Sequence, residues 1–96
     1  MKRTVSVSSA AEEDIDRLVE FHAGDTEASL MVADLLWSAA ISLREFAERG
    51  VPGRRPGYRE LFVPFRRSAY VIQYVVGERT VTITRIFHGL EDRPLA

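Results

Sequence analysis

Ala69-Tyr-Val-Ile-Gln-Tyr-Val-Val76, Gly77-Glu-Arg79 and Thr80-Val-Thr-Ile-Thr-Arg-Ile-Phe87 are the consecutive segments that decide the fold. The first is rich in Tyr, Val and Ile and apolar on both faces, which suits an interior strand better than an exposed edge. Gly77-Glu78 can close a tight hairpin with Gly at the first central position. In the return strand Thr80, Thr82 and Thr84 oppose Val81, Ile83 and Phe87. The pattern predicts an antiparallel pair over residues 69–76 and 80–87. Arg85 breaks it. By parity it shares the face of Val81, Ile83 and Phe87, where an unpaired buried charge is costly. It must either lie past the cover of the helices or pair with an acid from the helical half.

Working back towards the N-terminus, Tyr58 to Phe65 reads as another strand, with Pro64 placing its end at an edge or a bulge. Residues 50–57 hold three Gly and two Pro in eight positions and read as a loop. Before it, Val32, Leu36, Ala39, Ala40, Leu43, Phe46 and Ala47 recur at three- and four-residue spacing, predicting a helix over 26–49 capped by Asp25. A first helix over 10–23 carries Ile15, Leu18, Val19 and His22 on one face. Ser9 and Glu12 form a capping box at its start, and Gly24 marks its stop. Thr4-Val-Ser-Val-Ser8 alternates and predicts a strand over 4–8; residues 89–96 form a polar tail. The order β-α-α-β-β-β describes an α+β domain. Its N-terminal strand and antiparallel helical hairpin precede a three-stranded antiparallel sheet, with both helices on one sheet face. The other face is left open, where function would sit.

Ninety-six residues suffice for one domain, 1–96, and leave no room for a separate cofactor domain. The chain is 46% apolar and 28% charged, a globular rather than a disordered composition. It has no Cys, which excludes disulfides, thiolate zinc and a cysteine nucleophile. No signal peptide and no run near the roughly 20 apolar residues of a membrane helix is present, so the expected setting is the cytoplasm, away from membranes. The net charge of −1 conceals an asymmetry: residues 1–48 sum to −6 and residues 49–96 to +5. An Arg-rich second half suits an acidic protein segment or a nucleic acid. Sequence-specific DNA binding by the domain alone is disfavoured, because such domains carry a clear basic excess.

Motifs for chemistry are scarce. There is no nucleophile elbow, Walker loop or dinucleotide fingerprint, so neither catalysis by those routes nor a cofactor is expected. His22 reads as a packed or capping histidine. The acids from Glu12 to Asp16 suit the positive end of a helix without a catalytic role. His88 follows the last expected strand and is trailed by Glu91, Asp92 and Arg93. These acids and His88 are a weak metal set; hydrogen bonds from His88 and Asp92 that pin the tail to the sheet are the better reading. Arg66-Arg67 precede the central strand, either as solvated charges or as anchors for an acidic peptide.

Tyr70-Val-Ile-Gln-Tyr74, the glycine turn, and Val81-Thr-Ile-Thr-Arg-Ile-Phe-His88-Gly89-Leu-Glu-Asp92 together resemble the C-terminal hairpin of ParE/RelE-superfamily toxins. The ParE-like branch commonly closes its last strand on a His with an Asp a few residues on. The resemblance, over residues 4 to 93, implies the toxin of a type II toxin–antitoxin pair, acting by binding DNA gyrase and stabilising its cleaved DNA complex. It implies a cognate antitoxin, a small protein with an acidic or amphipathic C-terminal segment. Arg66, Arg67, Arg85, His88, Asp92 and Arg93 are the partner-binding candidates. RelE-like members instead cut messenger RNA in the ribosome. Those proteins carry an Arg after the first Tyr of the central strand, where this chain has Val71, and no Tyr follows His88. For that alternative the catalytic candidates are His88, Arg85, Arg66 and Arg67. A non-toxic interaction module of the same fold is the third reading.

Overall fold

The computed structural model describes residues 2–94. Its elements are β1 (Thr4–Val7), α1 (Ser9–Glu20), α2 (Thr26–Ser42), a 3-10 turn (Ala47–Arg49), β2 (Val51–Pro52), β3 (Tyr58–Phe65), β4 (Ser68–Val76) and β5 (Thr80–His88). The sheet order is β1-β5-β4-β3-β2. β1 runs parallel to β5, whereas the other neighbours are antiparallel. β4 lies in the middle, so both of its edges are paired, and Tyr70, Val71, Ile72, Gln73 and Tyr74 are all buried. Its largely apolar run, interrupted at Gln73, is what a strand covered on both faces requires. Ile15 and Leu18 of α1, with Val32, Leu36 and Ala40 of α2, meet Ile72, Tyr74, Val81, Ile83 and Ile86 in the core.

The α+β layout matches the sequence reading, with corrections at element ends. Ser8, expected in the strand, is the helix cap: its Oγ accepts from the Ala11 amide at 3.1 Å. The cap therefore lies one residue before the expected Ser9. α1 stops at Glu20, not residue 23, through successive tight turns at His22 and Ala23 rather than a left-handed Gly24. The Asp25 cap forms, accepting from the Ala28 amide at 3.0 Å. α2 ends at Ser42, seven residues before the expected position, and Phe46 has left-handed backbone with φ 54°. Leu43 and Ala47 still point into the core, so the apolar spacing outlasts the helix.

The expected loop 50–57 contains β2, which pairs Val51 and Pro52 with Glu60 and Arg59 and makes a fifth strand. The β4–β5 connection uses three residues, with the Gly77 amide donating to Thr80 O at 2.8 Å. The expected two-residue turn at Gly77-Glu78 is therefore replaced by a three-residue connection, and Gly77 does not take a positive φ. β5 runs on through His88. The open sheet face is also less open than expected, because the tail crosses it: Gln73 donates to Pro94 O at 2.6 Å, and Arg93 pairs with Glu60 at 3.3 Å. Residues 95 and 96 of the expected tail lie outside the described residues.

One buried hydroxyl joins the turn after α2 to the sheet. Tyr74 OH donates to Ala47 O at 2.7 Å and accepts from the Gly50 amide at 3.0 Å. A Cβ on Gly50 would collide with that hydroxyl and come within 2.8 Å of Glu60 O, so Gly50 is required by close approach. Tyr74→Phe leaves two buried backbone groups unsatisfied and should cost about 1–3 kcal/mol. Thermal unfolding should show this as a midpoint about 4–8 °C lower for each kcal/mol.

Candidate partner-binding site

β1 accompanies β5 only as far as the Val7–Ile83 pair. Immediately beyond, the register of β5 against β4 slips: Tyr74 pairs with Ile83 and Gln73 with Arg85, leaving Thr84 as the extra residue of a bulge. Side chains from the start of the helical hairpin take over where β1 ends. Ser8 Oγ donates to Thr84 O at 3.0 Å. Asp14 Oδ2 accepts the Ile86 amide at 2.8 Å, and Arg17 Nη2 donates to Ile86 O at 3.2 Å. Through these bonds α1 covers the edge of β5 as a strand would.

The bulge also resolves the parity of Arg85. Ile86 continues the core face of Val81 and Ile83, whereas Arg85 and Phe87 share the other face, with the Arg85 guanidinium 4.7 Å from the Phe87 ring centre. Of the two sequence alternatives, pairing with a helical acid is the one found. Arg85 Nε donates to Asp14 Oδ2 at 2.7 Å and Nη2 to Oδ1 at 3.1 Å, a bidentate fork. Arg17 also reaches Oδ1 at 3.2 Å and, through Nη1, Glu91 Oε2 at 2.6 Å. Glu91 Oε1 in turn accepts the His88 amide at 2.7 Å. Burial pushes the Asp14 carboxyl up, but the bonds from Arg85, the Ile86 amide and Arg17 outweigh it and hold the group below the ordinary aspartate value. Glu91 is likewise lowered: burial opposes, while the His88 amide and Arg17 prevail.

Beside this network opens a groove of about 320 Å³, walled by Leu18, Phe21, Tyr70, His88 and Leu90, with Arg17 and Glu91 on its polar side. Phe21 and Leu90 are each 86% exposed, although both are large and apolar. Tyr70 forms the floor. Its hydroxyl lies 3.4 Å from His22 Nε2, and its ring meets those of Phe65 and His88 at 5.8 and 5.5 Å between centres. Burial raises the Tyr70 phenol, with the nearby Arg66 charge acting against it. His88 Nδ1 accepts from the Leu90 amide at 3.1 Å. An apolar slot with a charged rim can seat an apolar side chain of another protein.

The sequence candidates are therefore divided. Arg85 and His88 belong to the network, and Arg66 stands near Tyr70, its guanidinium 5.1 Å from the Phe65 ring centre. Arg66 has left-handed backbone, φ 55°, in the β3–β4 turn, and Arg67 beside it is exposed. Arg93 has gone to the opposite sheet face. Asp92 is exposed and makes no hydrogen bond or ion pair among the described residues; Glu91 does the pinning expected of it. Sequence reasoning passed over Asp14 as one acid in a run. A signal was present: Ala11, Asp14, Ile15 and Leu18 form a single buried stripe of α1. Arg17, one turn along from Asp14, could have been found with it.

Comparison with known proteins places the chain. Residues 5–93 match the family described as ParE toxin of type II toxin-antitoxin system, parDE. Over 94 residues the chain is 42% identical to Toxin RelE1 of Caulobacter vibrioides, covering 97% of this chain and 100% of that one. A chain of the chromosomal ParDE system of P. aeruginosa superposes with a TM-score of 0.75 at 20% identity, covering 91% of this chain and 96% of that one. A chain of the RelBE2 toxin–antitoxin complex of Mycobacterium tuberculosis gives 0.63 at 24% identity, with 95% of each chain covered. The chain belongs to the ParE toxin family.

Asp14 is only 4% exposed and holds two guanidiniums and an amide. Asp14→Ala should cost about 2–4 kcal/mol, less than for a wholly buried pair because both arginines are about two-fifths exposed. The folded carboxyls of Asp14 and Glu91 titrate below their unfolded values. Their stabilisation is complete above the ordinary carboxylate range and is lost as pH falls through it towards the lower folded values. Thermal melts should therefore weaken below about pH 4, and Asp14→Asn should flatten that dependence while lowering stability at neutral pH.

Proposed function

We propose, on the premise of membership in the ParE toxin family, that this chain poisons DNA gyrase by binding it and performs no bond chemistry of its own. The observation that carries this reading is the neutralisation of two cations in the network that holds His88: Arg17 lies against Asp14 and Glu91, and Arg85 is forked onto Asp14. Cleavage of RNA without a metal requires positive charge free to meet the phosphate as its charge grows. Here the charge of Arg17 and Arg85 is spent on the fold, and the slot beside them is apolar. A binder needs only the slot and its rim.

The toxin is a component of a type II toxin–antitoxin system, so a cognate antitoxin is its first partner. A small antitoxin with an acidic or amphipathic C-terminal segment fits two features. Leu30, Trp37 and Ile41 fall along the outer face of α2 at 68%, 39% and 44% exposure, an apolar stripe suited to a partner helix. The Phe21–Leu90 slot and the exposed Arg66-Arg67 turn offer anchorage for apolar and acidic side chains. Both proposed partners suit a cytoplasmic setting; no helix among the described residues is long and apolar enough to cross a membrane.

A second reading, ribosome-dependent cleavage of messenger RNA, is favoured by the name of the 42% identical relative, Toxin RelE1. It would use His88 with Arg66 and Arg67, the cations of that candidate set that carry no carboxylate partner among the described residues. Purified protein should inhibit gyrase supercoiling and accumulate linear DNA, and the product of the adjacent gene should reverse both effects. Phe21→Glu should abolish the inhibition while leaving the thermal midpoint nearly unchanged. An unaffected gyrase, together with cut messages in a translating extract and loss of cutting in His88→Ala, would give the site to the second reading.

A further inference from the structure

Residues 49–59, Arg49-Gly-Val-Pro-Gly-Arg-Arg-Pro-Gly-Tyr-Arg59, contain four arginines and no acid. Among the described residues none of the four pairs with a carboxylate. Arg49 donates to Ser42 O at 3.3 Å and Arg59 to Glu48 O and Gly50 O at 2.8 and 2.6 Å, so both keep their full charge. The loop between β2 and β3 encloses a cup of about 370 Å³, the size range of small-ligand clefts, about 300–1,000 Å³. Its backbone is tied down. The Gly53 amide donates to Tyr58 O at 2.7 Å, the Tyr58 amide to Arg55 O at 3.1 Å, and the Val76 amide to Gly57 O at 3.0 Å. Gly57, at φ 83°, makes the turn that an L side chain would strain. Glu48, an acid on the rim, is engaged by Arg3 at 3.2 Å.

Within this preformed cup, Arg54 and Arg55 are exposed, and Arg55 lies with its guanidinium 4.2 Å from the Tyr58 ring centre. A guanidinium backed by an aromatic ring is a flat cationic platform on which a base can stack. We propose that this cup binds single-stranded nucleic acid, with Arg54 on a backbone phosphate and the Arg55–Tyr58 stack beneath a base. Uncompensated arginines alone would equally suit an acidic peptide; the stacked platform favours a nucleic acid. The neutral total charge makes this a local, sequence-tolerant grip. It lies at the Tyr58 end of β3, about 23 Å along the strand from the Arg66-Arg67 turn, and stands apart from the slot beside His88. It does not depend on gyrase being the target.

Fluorescence anisotropy of the full chain with a short labelled single-stranded DNA, at several salt concentrations, tests it. Arg54→Ala/Arg55→Ala should weaken binding at least about tenfold and reduce the slope of log K against log salt by about 0.7 for each phosphate no longer neutralised. Tyr58→Ala should weaken binding several-fold with the slope unchanged, and Arg66→Ala/Arg67→Ala should change it by less than about twofold. Circular dichroism of each variant should match the parent. The proposal is overturned if the Arg54/Arg55 double variant binds like the parent, if Tyr58→Ala has no effect, or if polyglutamate or inorganic phosphate competes as well as unlabelled oligonucleotide at matched charge. Failure of the supercoiling assay leaves this result standing, and the reverse is equally true.

Discussion

A strand edge with nothing beside it exposes amides and carbonyls that must find partners. In this protein β5 meets that constraint after Ile83, where β1 has ended and the bulge at Thr84 has turned the strand. Asp14 and Arg17, one turn apart on α1, take the amide and the carbonyl of Ile86. That choice orients much else. It fixes α1 along β5, gives Arg85, which the bulge has turned off the apolar face, its partner in Asp14, and sets Arg17 where it can hold Glu91. Glu91 then clasps the His88 amide and turns the chain at the mouth of the groove. The groove exists because a buried carboxylate organises its neighbours. Such an arrangement is a poor source of stability compared with apolar packing, but it specifies geometry.

The same logic sorts the arginines into two populations. Arg3, Arg17, Arg85 and Arg93 face carboxylates and serve the fold. Those of the β2–β3 loop and the β3–β4 turn lack such partners among the described residues and keep their charge for something outside the chain. A total of −1 is thus compatible with strongly cationic local surfaces. Among the described residues only the Arg85–Asp14 pair joins a cation of the second half to an acid of the first, so most of the charge asymmetry between the halves survives, much of it at the two ends of β3. Those two ends differ in kind. One adjoins an apolar slot suited to protein, and the other carries a stacked Arg–Tyr platform in a rigid loop.

Apolar surface is divided similarly. α2 is buried through Val32, Leu36 and Ala40, yet its outer face still carries Leu30, Trp37 and Ile41. A helix apolar on more than one side is either buried in a larger core or waiting for a partner. Among the described residues nothing covers this face, which is why a partner helix is proposed for it. A partner segment would complete the layer that the chain leaves unfinished, which is consistent with a protein that functions as half of a pair.

The sequence by itself determined the α+β class, the order of the elements other than β2, the interior position of the strand over 69–76, and a resemblance to the family. The first three follow from local periodicity and turn chemistry, which act over a few residues and so can be read from a few residues; the family came from the resemblance of the C-terminal hairpin. It also showed that Arg85 needed either an acid from the helical half or a place past the helices' cover. Only tertiary structure decided which one, because Asp14 and Arg85 are 71 positions apart and nothing local couples them. Element ends moved for a related reason. Leu43 and Ala47 keep helical spacing but reach the core after the helix has stopped at Ser42, since Tyr74 captures the turn through Ala47 and Gly50. Pairing of β1 with β5, the fifth strand at Val51 and the tail across Gln73 are likewise long-range contacts. A one-dimensional pattern records which faces want burial; which distant groups satisfy one another is settled only when the chain has packed.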